Sequence, residues 1–134
     1  MRKTALFASL GAALIVPAMA LAHDNDVPPS NAKLLSEILT TADSLGLGQI
    51  VEAEFDDGRW DIILCEQATC YKVEFDPISG QELRRKSADS KRLPPASAAP
   101  LTTVITQVEV ANPGVITAAD YDDGYWSVEL VIQP

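Results

Sequence analysis

Nineteen carboxylates, a single histidine and two cysteines hold most of the chemistry open to this 134-residue chain. Paired carboxylates can run general acid–base reactions, and clustered ones can hold a cation. The most suggestive set lies between Val51 and Asp76. Read as three antiparallel strands, this stretch puts Glu54, Asp61 and Glu74 in one row, with Asp56, Arg59 and Asp76 beside it. Like charges directly opposite one another destabilise a sheet. The row therefore points to a bound cation, a basic partner or plain exposure to water. Calcium favours a folded loop over a flat strand face, and an open sheet face is a poor cleft for acid–base catalysis. The expected partner-binding surface is Glu52, Glu54, Asp56, Arg59, Asp61, Glu74 and Asp76, with no catalytic residue, no metal ligand set and no cofactor.

His23 stands alone. A Ser-His-Asp triad needs a histidine held in a folded site, and a copper site at a free N-terminus needs a second histidine. Cys65 and Cys70 are spaced Cys-x4-Cys, unlike the Cys-x-x-Cys of redox enzymes and zinc ribbons. In an oxidising compartment such an even pair is most simply a disulfide. Closing so short a loop is worth at most roughly 2 kcal/mol by chain entropy, which makes the bridge a staple and not a site.

An oxidising compartment agrees with the N-terminus. Arg2 and Lys3 precede an apolar run from Ala5 to about Val16, Pro17 breaks it, and Ala20-Leu21-Ala22 ends it with small residues. These are the parts of a secretory signal with cleavage after Ala22. The run falls short of the ~20 apolar residues of a membrane-spanning helix. Cleavage would leave 112 of the 134 residues, with 8 cations facing 19 carboxylates, a net charge of −11. That balance argues against nucleic acid and anionic membrane surfaces as partners. The expected location is periplasmic or secreted, with no membrane insertion after cleavage.

The positioning elements follow from an internal repeat. Leu35–Leu64 slides by 66 positions onto Leu101–Leu130 without a gap. Asp56-Asp57-Gly58-Arg59-Trp60 falls on Asp122-Asp123-Gly124-Tyr125-Trp126, Gly48 on Gly114, Ile50 on Ile116, and Ile38-Leu39 on Val104-Ile105. A whole unit in register, with apolar positions matched, indicates duplication. Each unit reads as a helix followed by a hairpin. In the first, Ser30 or Asn31 is the expected N-cap, Leu34, Leu35, Ile38, Ala42 and Leu45 keep helical spacing, and Gly46 is the stop. In the second, Pro100 suits the first helical turn. Leu101, Val104, Ile105 and Val108 keep the period despite a β-branched run that also suits a strand. The alignment with the first unit favours helix.

Asp57-Gly58 and Asp123-Gly124 are two-residue hairpin turns. Such turns set the register: Phe55 faces Trp60, Ala53 faces Ile62, Val51 faces Leu64, Tyr121 faces Trp126 and Ala119 faces Val128. All are apolar and share one face. A third strand, present in the first unit only, places Cys65 opposite Cys70, Leu64 opposite Tyr71, Ile62 opposite Val73 and Trp60 opposite Phe75. The cysteines then fall on the outer face. The stretch 87–100 is rich in Ser, Ala and Pro and reads as a linker. Arg84, Arg85, Lys86, Lys91 and Arg92 gather beside it, either as its solvated flank or as a basic patch docking on the acidic sheet of this or another molecule.

Val51–Gly58, Trp60–Leu64 and Tyr71–Leu83 together resemble the PepSY domain family. Its pattern is a helix, an acidic strand, a turn, a strand carrying an aromatic, and a last strand ending in Asp-x-x-x-Gly and a leucine, matched here by Asp76, Gly80 and Leu83. The resemblance covers about residues 31–83. Residues 101–134 match only its helix and first hairpin, so the second unit either folds by itself or completes the sheet of the first. The resemblance implies binding or inhibiting peptidases, or regulating activity in the envelope, with no shared catalytic residues.

The expected fold is α+β: two tandem helix–β-hairpin units with helices packed on one face of an antiparallel sheet. The divisions are a signal at 1–22, a disordered mature start at 23–30, a full unit at 31–86, the linker at 87–100 and a partial unit at 101–134. The expected core is Leu34, Leu35, Ile38, Phe55, Trp60, Ile62, Val73 and Phe75, with Val104, Ile105, Tyr121, Trp126 and Val128. The expected function is that of a non-enzymatic periplasmic binding protein, a peptidase inhibitor or modulator acting through its acidic sheet face on a basic envelope protein. The alternative is a cation- or small-ligand-binding sensor accessory of the envelope.

Overall fold

The computed structural model describes residues 27–132 with their side chains, and the backbone of two strands, β1 (Arg2–Ser9) and β2 (Ala12–Val16). Cleavage after Ala22 and the placement of His23 lie outside the described residues. The other elements are α1 (Leu35–Asp43), β3 (Gln49–Asp56), β4 (Arg59–Glu66), β5 (Thr69–Phe75), β6 (Glu82–Ala88), α2 (Leu101–Ala111), β7 (Val115–Asp122) and β8 (Tyr125–Ile132).

The expected pair of tandem helix–hairpin units is corrected. Six antiparallel strands of residues 27–132 form one sheet in the order β8-β7-β3-β4-β5-β6, and β1 and β2 continue it past β8. The first half supplies four of the six strands. Sequence patterning overlooked β6 because every residue from Glu82 to Ser87 is exposed, so no apolar alternation marks it. The halves are joined through β3 and β7, which pair Glu52 with Asp120, Ala53 with Ala119 and Glu54 with Ala118. Ala53 thus pairs with the residue 66 positions on, its own counterpart in the repeat. The two Asp-Gly hairpins meet about a local two-fold centred there, and both alanines are buried. A backbone hairpin alone leaves two unpaired edges, and merging the two removes one from each.

Both helices pack on one face. Ile38, Leu39 and Ala42 of α1 join Val104, Ile105 and Val108 of α2 over Phe55, Trp60, Ile62, Val73, Phe75, Trp126 and Val128. The helices run antiparallel and are clipped at both ends. Ser36 N–H donates to Glu109 Oε2 at 3.0 Å, and Thr102 Oγ1 donates to Asp43 Oδ2 at 2.9 Å. Of the expected core residues, Leu34 is instead exposed and Tyr121 only partly buried. Leu34 sits at the N-cap position of α1, where its N–H donates to Glu37 Oε2 at 2.9 Å. Ser30 and Asn31 therefore do not cap the helix. Gly46, with φ +70°, lies just beyond its end. Within the expected loose start, Val27 and Pro28 are buried.

Both Asp-Gly turns have two residues at positive φ, Asp57 (52°) with Gly58 (81°) and Asp123 (52°) with Gly124 (89°), as a two-residue hairpin requires. Registers at the turn end match expectation: Phe55 faces Trp60 and Tyr121 faces Trp126, each pair edge-to-face at 5.3 and 5.2 Å. Farther along, a bulge between Ile50 and Glu52 puts Ile50, not Val51, opposite Leu64. A bulge at the equivalent place, between Ile116 and Ala118, repeats the feature. The extra residue turns Val51 to the other face. There it joins Ile63 and the Cys65–Cys70 disulfide in a small second core, covered by Ala88 and Leu93. The 87–100 stretch therefore starts as strand and crosses to the helical face, where Ala99 packs on the main core and its carbonyl accepts from Trp126 Nε1 at 2.9 Å.

Candidate functional site

The face opposite the helices carries the charged residues, and strand pairing dictates their arrangement. One row across the sheet reads Arg84, Glu74, Asp61, Glu54, Ala118, Glu129. The next reads Lys86, Lys72, Ile63, Glu52, Asp120, Ser127. The face thus grades from cationic at β5–β6 to anionic along the β3–β7 seam. The expected row Glu54, Asp61, Glu74 is in place, but its members differ in kind.

Asp61 and Glu74 are buried, at 6% and 4% exposure. Burying a carboxylate is costly unless it is paired. Arg59, from the turn end of β4, supplies the pairing: its Nε lies 2.9 Å from Glu74 Oε1 and 3.5 Å from Asp61 Oδ1. These are ion pairs and not aligned hydrogen bonds. Lys72 Nζ reaches Asp61 Oδ2 at 3.4 Å, and Arg84 Nε reaches Glu74 Oε2 at 3.2 Å. Three cations thus balance two buried carboxylates, and the cluster is an internal strut of the sheet. Asp76 serves locally as well. Its Oδ2 accepts from Ser79 N–H at 2.7 Å and Ile78 N–H at 3.1 Å, closing the turn into β6 with Gly80 at φ +74°. The Ser79 N–H, above all, holds its carboxyl below the usual carboxylate range.

The seam is different. Glu52 faces Asp120 directly, and Glu54 and Asp120 are exposed. Partial desolvation, then the charges of Glu52, Asp56 and Asp61, raises the Glu54 carboxyl above its ordinary value. Partial desolvation, then Glu52, Asp122 and Glu129, does the same to Asp120. Lys91 from the crossing segment reaches Glu52 at 3.5 Å. Part of the basic flank thus docks on the acidic sheet of its own molecule.

A carboxyl raised by folding favours the native state below its unfolded pKa and loses that contribution as pH rises through the raised value. At neutral pH the seam is therefore under repulsion. Asp120→Asn and Glu54→Gln are each expected to stabilise the fold at pH 7 by roughly the 0.2–1 kcal/mol of a cross-strand pair, and so to raise the thermal midpoint. The gain should vanish below the ordinary carboxylate range, where wild type is protonated too. Thermal melts across pH measure this, and an equal gain at acid pH would show that charge is not its source.

Among the described residues, no group of three or more His, Cys, Asp or Glu is placed to hold a metal ion, and no helix is long and apolar enough to cross a membrane. Arg84 and Lys91, from the basic run expected either as a solvated flank or as a patch docking on the acidic sheet, pair with Glu74 and Glu52, whereas Lys72 and Asp120 carried no such expectation. The 66-residue shift that places Ala53 on Ala119 also places Glu54 on Asp120, so that signal was present. Comparison with protein-family models, with curated proteins and with solved structures finds no match.

Proposed function

We propose that this chain is a non-enzymatic binding protein of the bacterial periplasm that engages a basic partner protein through the β3–β7 seam. The observation that carries this is the excess of negative charge there. Half-buried Glu52 and exposed Glu54 and Asp120 crowd together with only Lys91 and Lys72 acting on them from nearby, whereas Asp61 and Glu74 beside them are held by three cations. A cationic partner surface would relieve the repulsion, and the gain would appear as affinity and as faster, salt-sensitive association. The Cys65–Cys70 disulfide fits an oxidising compartment. The likeness to the PepSY family favours a peptidase as the class of partner, inhibited or modulated by binding.

The test is affinity capture from a periplasmic extract at low salt with elution at high salt. The expected result is one dominant basic protein, retained by wild type and lost with Glu54→Lys/Asp120→Lys. Asp76→Asn, which alters a turn carboxylate away from the seam, should retain it. Retention of the same protein by the double lysine variant would overturn the assignment of the seam.

A further inference from the structure

The two outer strands of the six-stranded sheet are built differently. β6, Glu-Leu-Arg-Arg-Lys-Ser-Ala, is exposed almost throughout and carries Arg84, Arg85 and Lys86. Charges of this kind keep an edge from pairing with another chain. β8, Tyr-Trp-Ser-Val-Glu-Leu-Val-Ile, has no Lys, Arg or Pro and only one charge, Glu129. By the same criterion it is an unguarded edge of eight residues.

The local two-fold shows what belongs there. It relates β4 to β8, and the outer side of β4 is covered by β5. The second half has no strand of its own in that position. In the full chain β1 takes the place: Arg2–Ala8 pairs antiparallel with Trp126–Ile132, from Ala8 opposite Trp126 to Arg2 opposite Ile132. This backbone pairing shows that the β8 edge accepts an antiparallel strand along almost its whole length. Residues 2–9 belong to the stretch read as the export signal, so processing would strip the edge and leave a row of unpaired N–H and C=O groups.

We propose that in the processed protein β8 pairs with β8 of a second copy, joining the two sheets across a two-fold axis. The inference rests on removal of residues 1–22. A two-fold makes the strands antiparallel, the same sense as β1 on β8, and each copy satisfies the other with an identical patch. The guarded β6 explains why assembly stops at two. A β6-to-β8 contact would be head-to-tail and would propagate into a filament, and the cations of β6 oppose it. The neighbouring seam is acidic, so repulsion between copies is long-ranged and screened by salt. The dimer therefore tightens as salt rises, opposite to capture of a basic partner at the seam, which separates failure of one idea from failure of the other.

The experiment uses protein exported by its own signal and purified from the periplasm, with intact mass confirming the processed chain. Sedimentation over a wide dilution series, at low and high salt, reads the oligomeric state. A concentration-dependent dimer, stronger at high salt, is expected. Ser127→Lys gives β8 the kind of guard that β6 has, and the new ammonium falls opposite Asp120, so the fold should survive. The variant should dissociate at concentrations roughly tenfold or more above wild type. A peptide of the Arg2–Ser9 sequence should compete, converting dimer to monomer. A chain that keeps residues 1–22, a processed chain that stays monomeric throughout, or a dimer indifferent to both the variant and the peptide would each overturn the proposal.

Discussion

Arg59→Ala is expected to give the largest loss of stability of any single charge removal, a fall in thermal midpoint on the order of 10 °C. The reason lies in what stays behind. Asp61 and Glu74 are direct cross-strand partners, both buried, and among the described residues Arg59 is the one cation that touches both. Without it, two like charges face each other with little water to screen them. Lys72 and Arg84 each hold one outer oxygen, and neither lies between the pair. Adding Asp61→Asn or Glu74→Gln to Arg59→Ala should restore much of the loss, because the cost comes from the uncompensated carboxylates and not from the missing side chain. A double-mutant cycle in thermal denaturation reads this non-additivity. Arg59→Ala with an unchanged midpoint, or simple additivity, would mean that the carboxylates are hydrated and that the cluster is no strut.

This cluster also shows how far the residues spoke for themselves. Two-residue turns dictated the register, so the row Glu54, Asp61, Glu74 and the facing cysteines followed from Asp57-Gly58 and from the Cys-x4-Cys spacing. Helical spacing at Leu101, Val104, Ile105 and Val108 outweighed a β-branched run, and α2 forms there. What could not be read was anything decided by distant packing. Val51 looks like one more inward apolar residue until the bulge turns it outward, and a bulge leaves little trace in composition. The strand from Glu82 to Ala88 is an edge exposed on both faces, so it lacks the alternation that betrays a strand. The merging of two hairpins into one sheet depends on Ala53 meeting Ala119, a non-local contact for which the repeat supplied the residues but not the partner. Burial, in turn, separates the balanced carboxylates Asp61 and Glu74 from the repelling ones at Glu54 and Asp120, and charge counting sees all four alike.

The two glycines that the repeat aligns, Gly48 and Gly114, should prove unequal. Gly48 precedes β3 at φ +108°, a conformation that L side chains rarely adopt. A Cβ there would run into the Cys65 carbonyl oxygen and would lie 2.6 Å from the Cys65 carbonyl carbon and 2.8 Å from Glu66 N. Those atoms are backbone, held by β4–β5 pairing and by the disulfide at Cys65, so they cannot swing aside as a flexible side chain would. Gly48→Ala therefore combines backbone strain with overpacking and is expected to cost about 2–4 kcal/mol. Gly114 is not in the left-handed region, and a Cβ there would meet Val131 O at 3.2 Å and Leu130 Cβ at 3.3 Å. A shift of a few tenths of an ångström accommodates it, for a loss of about 1 kcal/mol. Urea titrations with unchanged m-values read both differences directly. Equal losses would mean that the close approach of the chain before β3 to the end of β4 is relieved at little cost. The larger loss at Gly48 would show that backbone and disulfide leave no room there for a side chain, whereas the site of Gly114 gives way to one.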